Sequence, residues 1–307
     1  MTEESKNSVY FLSALKEFYW NGDHITLIPG IEIVRSNLSI ENISYSKFIS
    51  KRDIQQIQES THILRMEISE FEYDYYIELL HLFLLALWIK KYSGTIICFR
   101  FLDPPYNPHQ GESPLPVQRI GDHYHYIHDQ KEFDISTEDL ENVGRNLASL
   151  EKIHKTSSRL ATAIYFTHYA NTTIRWQGAF TNCMVAIEAL FSPEKRGGVT
   201  KQICSRVSCF LESDHSKRES LYFEMDNLYD IRSGIIHGRY KLNIGDKIAA
   251  DRNLEDLFKL VSILRRCWGK ILGTPKLINV FTNETKRTSH LDSLTSGFNH
   301  PKITRGI

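Results

Sequence analysis

The stretch Leu221–His237, LYFEMDNLYDIRSGIIH, has apolar residues at 221, 225, 228 and 235, with Arg232 standing in the same line. Steps of four, three, four and three trace one face of an α-helix. Upstream, Ser216 with Glu219 three residues on reads as a capping box. Downstream, Gly238 stands where a helix C-terminal glycine belongs.

The same period extends to both sides. Between Ser136 and Gly273 the only proline is Pro193. Leu140, Val143, Leu147 and Leu150 mark one helix, with Thr137 near its start. A shorter helical stretch follows a break near Thr156. Trp176, Phe180, Cys183, Ile187 and Leu190 mark another, ended by Pro193 and Gly197-Gly198. Val199, Ile203, Val207 and Phe210 form a further line, and Leu254, Leu257, Val261, Leu264, Trp268 and Ile271 the last. Residues 136–275 therefore read as a bundle of four or five antiparallel helices. Residues 276–307 are polar and read as a loosely held C-terminal tail.

Toward the N-terminus the pattern changes. His24–Ile28 and Ile31–Arg35 flank Pro29-Gly30 as a strand, turn, strand unit, and His62–Ile68 suits another strand. A long apolar helix runs from about Asp74 to Tyr92, and Thr95–Phe101 (TIICFRF) reads as a buried strand. Asp103–Pro116 holds five prolines and is a loop, followed by a strand-like run over Val117–His128. The fold class is thus an α+β N-terminal domain, residues 1–135, followed by an all-α bundle.

With 37 basic and 37 acidic side chains the chain is formally neutral. That excludes a surface coated in positive charge for nonspecific nucleic-acid binding, but not a local basic cleft. The five cysteines form no Cys-x-x-Cys pair, and most stand in apolar stretches as reduced thiols. The start, MTEESKNSVY, lacks the regions of a signal peptide. Tyr75–Trp88 carries Glu78 and His81 and is too short for a comfortable membrane span. The expectation is a cytoplasmic protein without a membrane segment.

Chemistry concentrates in Asp230–Tyr240, DIRSGIIHGRY. Arginine is rarely buried without a partner, so Arg232 on an apolar line asks for one. Asp226, Asp230, Ser233 and His237 form a neighbouring stripe. Two readings stand side by side. Arg232 and His237 can share a groove as phosphate binder and proton carrier. Alternatively, Arg232 pairs with a bundle carboxylate and His237 sits where the helix dipole favours it.

These residues resemble the HEPN domain, in particular the Apea-like HEPN family. Tyr229, Arg232-Ser233 and His237-Gly238 fit its tyrosine, arginine-serine, histidine-glycine pattern. Ala186-Ile187-Glu188-Ala189-Leu190 resembles its leucine-glutamate-alanine-leucine stretch, and Thr200–Leu211 its next helix with an arginine, here Arg206. The resemblance covers about Ser157–Leu272, and more weakly Leu80–Phe101 looks like the domain that often precedes this module. Many ribonuclease HEPN domains carry Asn, Asp or His directly after the arginine, where Ser233 stands here.

The resemblance implies a metal-independent endoribonuclease without a cofactor, a homodimer through the helical domain with two motifs facing one cleft. Arg232, His237 and Ser233 are then catalytic, with Glu188, Tyr229 and Asp230 in support. Its setting is a toxin or antiviral defence effector, with the N-terminal domain a sensor or scaffold for a regulatory protein or phage-derived trigger. The alternatives are a non-catalytic HEPN module binding RNA, nucleotide or a protein partner, and a dimerisation scaffold. The chemistry suits cleavage: a histidine exchanges protons near neutral pH, and arginine offers a planar charged fork to phosphate. His123, His125 and His128, flanked by Asp122 and Asp129, are a weaker metal candidate, better read as an aromatic-polar strand. Glu194–Gly198 lacks the order of a phosphate loop. The pairs Lys51-Arg52 and Lys90-Lys91 read as solvated faces, and Arg265-Arg266 is a further candidate for an RNA path.

Overall fold

The computed structural model describes residues 9–36, 51–68, 73–91, 95–103, 118–123, 134–193, 198–239 and 247–298. The chain is α+β in its first part and all-α after it, and it divides into two units, Met1–Ala148 and Ser149–Ile307.

The first unit is built on a six-stranded antiparallel sheet in the order β2-β3-β4-β1-β5-β6. Its strands are β1 (Val9–Lys16), β2 (His24–Ile28), β3 (Ile31–Arg35), β4 (His62–Ile68), β5 (Ile96–Asp103) and β6 (Gln118–His123). The sequence reading anticipated β2 to β5 closely but passed over β1, which pairs with both β4 and β5. The reason is burial: Phe11 to Leu15 are buried on both faces, so the half-exposed alternation that announces a strand is missing. The strand expected over Val117–His128 is β6, and residues 124–128 lie outside the described ones, as do 104–117 of the proline-rich loop.

Between β3 and β4 lies α1 (Lys51–Gln58), and between β4 and β5 lies α2 (Tyr73–Lys90). The α2 side chains from Leu82 to Ile89 are all buried, which explains an apolar run without amphipathic period. Tyr76 of α2 stacks on Phe11 at 5.9 Å between ring centroids. Among the described residues no helix is long and apolar enough to cross a membrane.

The division between the units falls inside α3 (Thr137–Thr156), whereas the sequence changes character at Ser136. The first turns of α3 are tied to the sheet unit. Trp20 donates its indole N–H to Thr137 at 3.3 Å, and Ile135 N–H bonds Tyr19 at 2.8 Å. Ser136, not Thr137, caps the helix, exchanging hydrogen bonds with Asp139. Burial raises the Asp139 pKa, but the Ser136 bonds with Lys90 and Lys91 outweigh it and hold the carboxyl below its ordinary value.

Gly144 on α3 meets the β2 backbone so closely that a Cβ there would lie 2.3 Å from the Leu27 carbonyl oxygen. Gly144→Ala is expected to destabilise the chain by about 1–3 kcal/mol, since backbone must move. Gly269, in the last helix of the apolar series, has nothing within 4 Å of such a Cβ. Gly269→Ala is expected to stabilise by about 0.5–1 kcal/mol through helix propensity. Urea unfolding of both variants checks the opposed signs.

The second unit contains α4 (Ser158–Thr172), α5 (Trp176–Phe191), α6 (Val199–Leu211), α7 (His215–Ile236), α8 (Lys247–Leu272), α9 (Pro275–Phe281) and α10 (Glu284–Thr295). At its centre α5 buries Phe180, Cys183, Met184, Ile187, Leu190 and Phe191 against α4, α6, α7 and α8. Trp268 of α8 donates to the Thr167 hydroxyl of α4 at 2.9 Å, anchoring a fully buried indole.

Two expectations are corrected here. Residues 276–298 of the expected tail are not loose: Pro275 opens α9, Asn283 caps α10, and Phe281, Arg287 and Leu291 are buried, while residues 299–307 lie outside the described ones. Their polar composition misled because a buried arginine contributes to this core. The cap of α7 is Asp214, which accepts from Lys217 N–H at 3.0 Å, while Ser216 donates to Asp214 at 2.7 Å instead of capping.

Candidate active site

Helix α7 presents a broad buried face, because Tyr222, Asp226 and Tyr229 are buried beside Leu221, Met225 and Leu228. Arg232 continues that face one turn later, where burial gives way to partial exposure. Its Nη2 lies 3.3 Å from both Glu188 carboxylate oxygens, and its Nε is buried without a hydrogen-bond partner. The arginine on the apolar line thus has the partner that burial demanded, supplied by α5 one helix away. Tyr229 closes the back of the pair. Its hydroxyl is buried beside Glu188 without a hydrogen bond of normal geometry. Burial pushes the Glu188 carboxyl up, opposed by the Arg232 charge and the Tyr229 hydroxyl. Burial and Glu188 also push the Tyr229 phenol up. Burial and Asp226 raise the neighbouring Cys204 thiol to about 12. The Cys204 thiol therefore stays protonated at neutral pH and does not compete as a nucleophile.

The end of α7 is shaped by its glycine. Gly238 adopts φ 68°, its N–H bonds Ile235 at 3.1 Å, and Arg239 N–H reaches back to Gly234 at 2.8 Å. This is a Schellman closure, which requires the left-handed residue at Gly238. His237 is the last helical turn's cap, its N–H bonded to Ser233 at 3.0 Å and its side chain exposed. Among the described residues its imidazole makes no hydrogen bond or ion pair, so it stays available to solvent and ligand.

The structure therefore brings Arg232, Glu188 and Tyr229 together. It sets Ser233, half-buried, and His237, exposed, at the end of the same helix, with Asp230 exposed one turn before Ser233. Glu188 also lines an open groove of about 670 Å³ with Arg159, Thr162 and Ser192, and Ile235 lines another of about 590 Å³ with Thr172, Thr173, Arg175 and Gln177. Among the described residues no three His, Cys, Asp or Glu side chains gather as a metal site. His125, His128 and Asp129 lie outside the described residues.

One constellation escaped the sequence reading. Arg159, Arg206 and Arg287 converge on the carbonyls that end α5. Arg159 donates to Ala189 at 3.4 Å, Arg287 to Leu190 at 2.9 Å and Ser192 at 3.2 Å, and Arg206 to Phe191 at 2.9 Å. Glu284 pairs with Arg159 and Arg287, and Asp292 with Arg206. Arg206, part of the resemblance, is thus buried structure at the foot of the helix that carries Glu188. Comparison with protein-family models, with curated proteins and with solved structures finds no match for this chain.

Proposed function

We propose that the chain is a metal-independent endoribonuclease of HEPN type, acting as a homodimer whose two motifs meet at one RNA strand. The observation that carries this is a half-buried, carboxylate-oriented Arg232 on the helix that ends at an exposed His237, whose imidazole has no partner among the described residues. The RNA 2′-hydroxyl gives its proton to a neutral His237 and attacks the adjacent phosphorus, and the P–O5′ bond breaks. The 5′-oxygen leaves as a hydroxyl with a proton returned by a histidine of the two motifs, and Arg232 offsets the charge gathering on the phosphate oxygens. Glu188 holds the guanidinium in one orientation, and Ser233 can position either group. A toxin or defence effector in the cytoplasm fits this chemistry, and four described cysteines, all buried and unpaired, fit a reducing setting.

The test is incubation of the purified chain with RNA in EDTA. Cleavage is expected to survive chelation and to leave 2′,3′-cyclic phosphate ends, with DNA of the same sequence intact because it lacks the 2′-hydroxyl. Light scattering is expected to show a dimer at micromolar concentration, since one arginine and one histidine per chain are a sparse set. RNA bound but never cut would favour the non-catalytic module. Activity restored only by Mg²⁺ or Mn²⁺ would defeat the mechanism.

A further inference from the structure

Helix α4 carries an exposed line that the motif does not use. Thr162, Tyr165 and Tyr169 stand on it at helical spacing, and it ends at Thr172 and Thr173. Tyr165 is 54% and Tyr169 43% exposed, and their rings meet at 4.3 Å between centroids. Their exposed faces form one contiguous aromatic surface with a polar edge, the kind of surface on which a flat ring can stack.

The line joins the two grooves of this unit. Thr162 lines the groove that contains Glu188, and Thr172 and Thr173 line the groove that contains Ile235, two residues before His237. From Thr162 to Thr173 the helix rises about 16 Å, a span of a few nucleotides. The Ile235 groove holds the exposed Arg175 and the amide of Gln177 and no acidic side chain. In the other groove Glu188 and Glu284 are each paired with arginine. The path thus presents aromatic faces at its middle and, among the described residues, the positive charge of Arg175 without an acidic partner at one end.

We infer that α4 is a platform for single-stranded RNA, with bases stacked on Tyr165 and Tyr169 and the phosphate backbone led past Arg175 toward His237. This rests on RNA being the ligand of the motif. Stacking on exposed tyrosines needs open base faces, which a duplex does not offer. A strand lying along α4 runs from the groove lined by Glu188 to the groove lined by Ile235 of α7, so binding outside the catalytic residues positions it.

The experiment uses the full chain carrying His237→Ala, so that the probe is not consumed, and a labelled single-stranded RNA of about ten nucleotides. Fluorescence anisotropy gives Kd. Tyr165→Ala and Tyr169→Ala are each expected to raise Kd by about 5- to 150-fold, while Tyr165→Phe and Tyr169→Phe stay within about twofold. Both side chains are exposed, so melting midpoints should hold within about 2 °C. A blunt RNA duplex is expected to bind at least about tenfold more weakly.

Alanine variants that bind like the parent would overturn the platform. So would a parent that binds no single strand, or a duplex held equally well. Alanine variants that turn a dimer into a monomer would assign the tyrosines to a subunit contact, and the proposal would fall. Tight tyrosine-dependent binding by a wild-type chain that never cuts RNA would leave the platform standing and remove the nuclease.

Discussion

His237→Ala is expected to cut RNA about 10²- to 10⁴-fold more slowly than the wild-type chain, the range typical of a lost general acid or base. The side chain is exposed and makes no described contact, so the variant should melt with the wild type. RNA affinity should change little. Arg232→Lys keeps the charge but loses the planar guanidinium, whose Nη2 lies 3.3 Å from both Glu188 oxygens and whose remaining nitrogens can face phosphate, and should be much less active than wild type. Single-turnover rates on folded protein make the comparison. A folded His237→Ala chain that cleaves within a few-fold of wild type would remove His237 from the chemistry. The module would then be read as an RNA binder.

The second large effect is on stability. Arg287 is fully buried, and it satisfies the Leu190 and Ser192 carbonyls while pairing with Glu284. Arg287→Ala strands these acceptors and opens a cavity at the foot of α5. The expected loss is about 3–5 kcal/mol. Equilibrium unfolding in urea measures it, and a loss under about 1 kcal/mol would show that α10 does not secure this end of α5. A pH dependence accompanies the clamp. Burial raises the Glu284 pKa, but Arg287 and Arg159 outweigh it and hold the carboxyl below its ordinary 4.5. The folded state therefore binds its proton less readily than the unfolded chain. Glu284 contributes stability that is fully present above pH 4.5 and is lost as pH falls through the lowered value. That acid sensitivity should be smaller in Glu284→Gln.

Why some features were readable and others not has a common physical origin. Periodic burial is local information, and the α5, α6, α7 and α8 lines follow from it directly. The cap at Asp214 and the strand β1 were missed because each depends on what lies opposite. Ser216 satisfies the same local rule as Asp214, and only its hydrogen bond to Asp214 decides between them. The strand β1 is buried on both faces from Phe11 to Leu15, so no alternation is left to read.

By itself the sequence determined the α+β then all-α order, the helix that carries Arg232 and His237, and the glycine that closes it. These depend on residue spacing and on the backbone freedom of Gly238. The sequence offered Glu188 as a candidate partner for Arg232, and the tertiary structure brings the two together. Only the tertiary structure decided that Tyr229 is buried beside the pair and that three arginines from α4, α6 and α10 close the end of α5. It also turned a polar C-terminal stretch into two packed helices. Partners from distant segments are chosen by packing, and a charge is held in a core only where that packing brings acceptors to meet it.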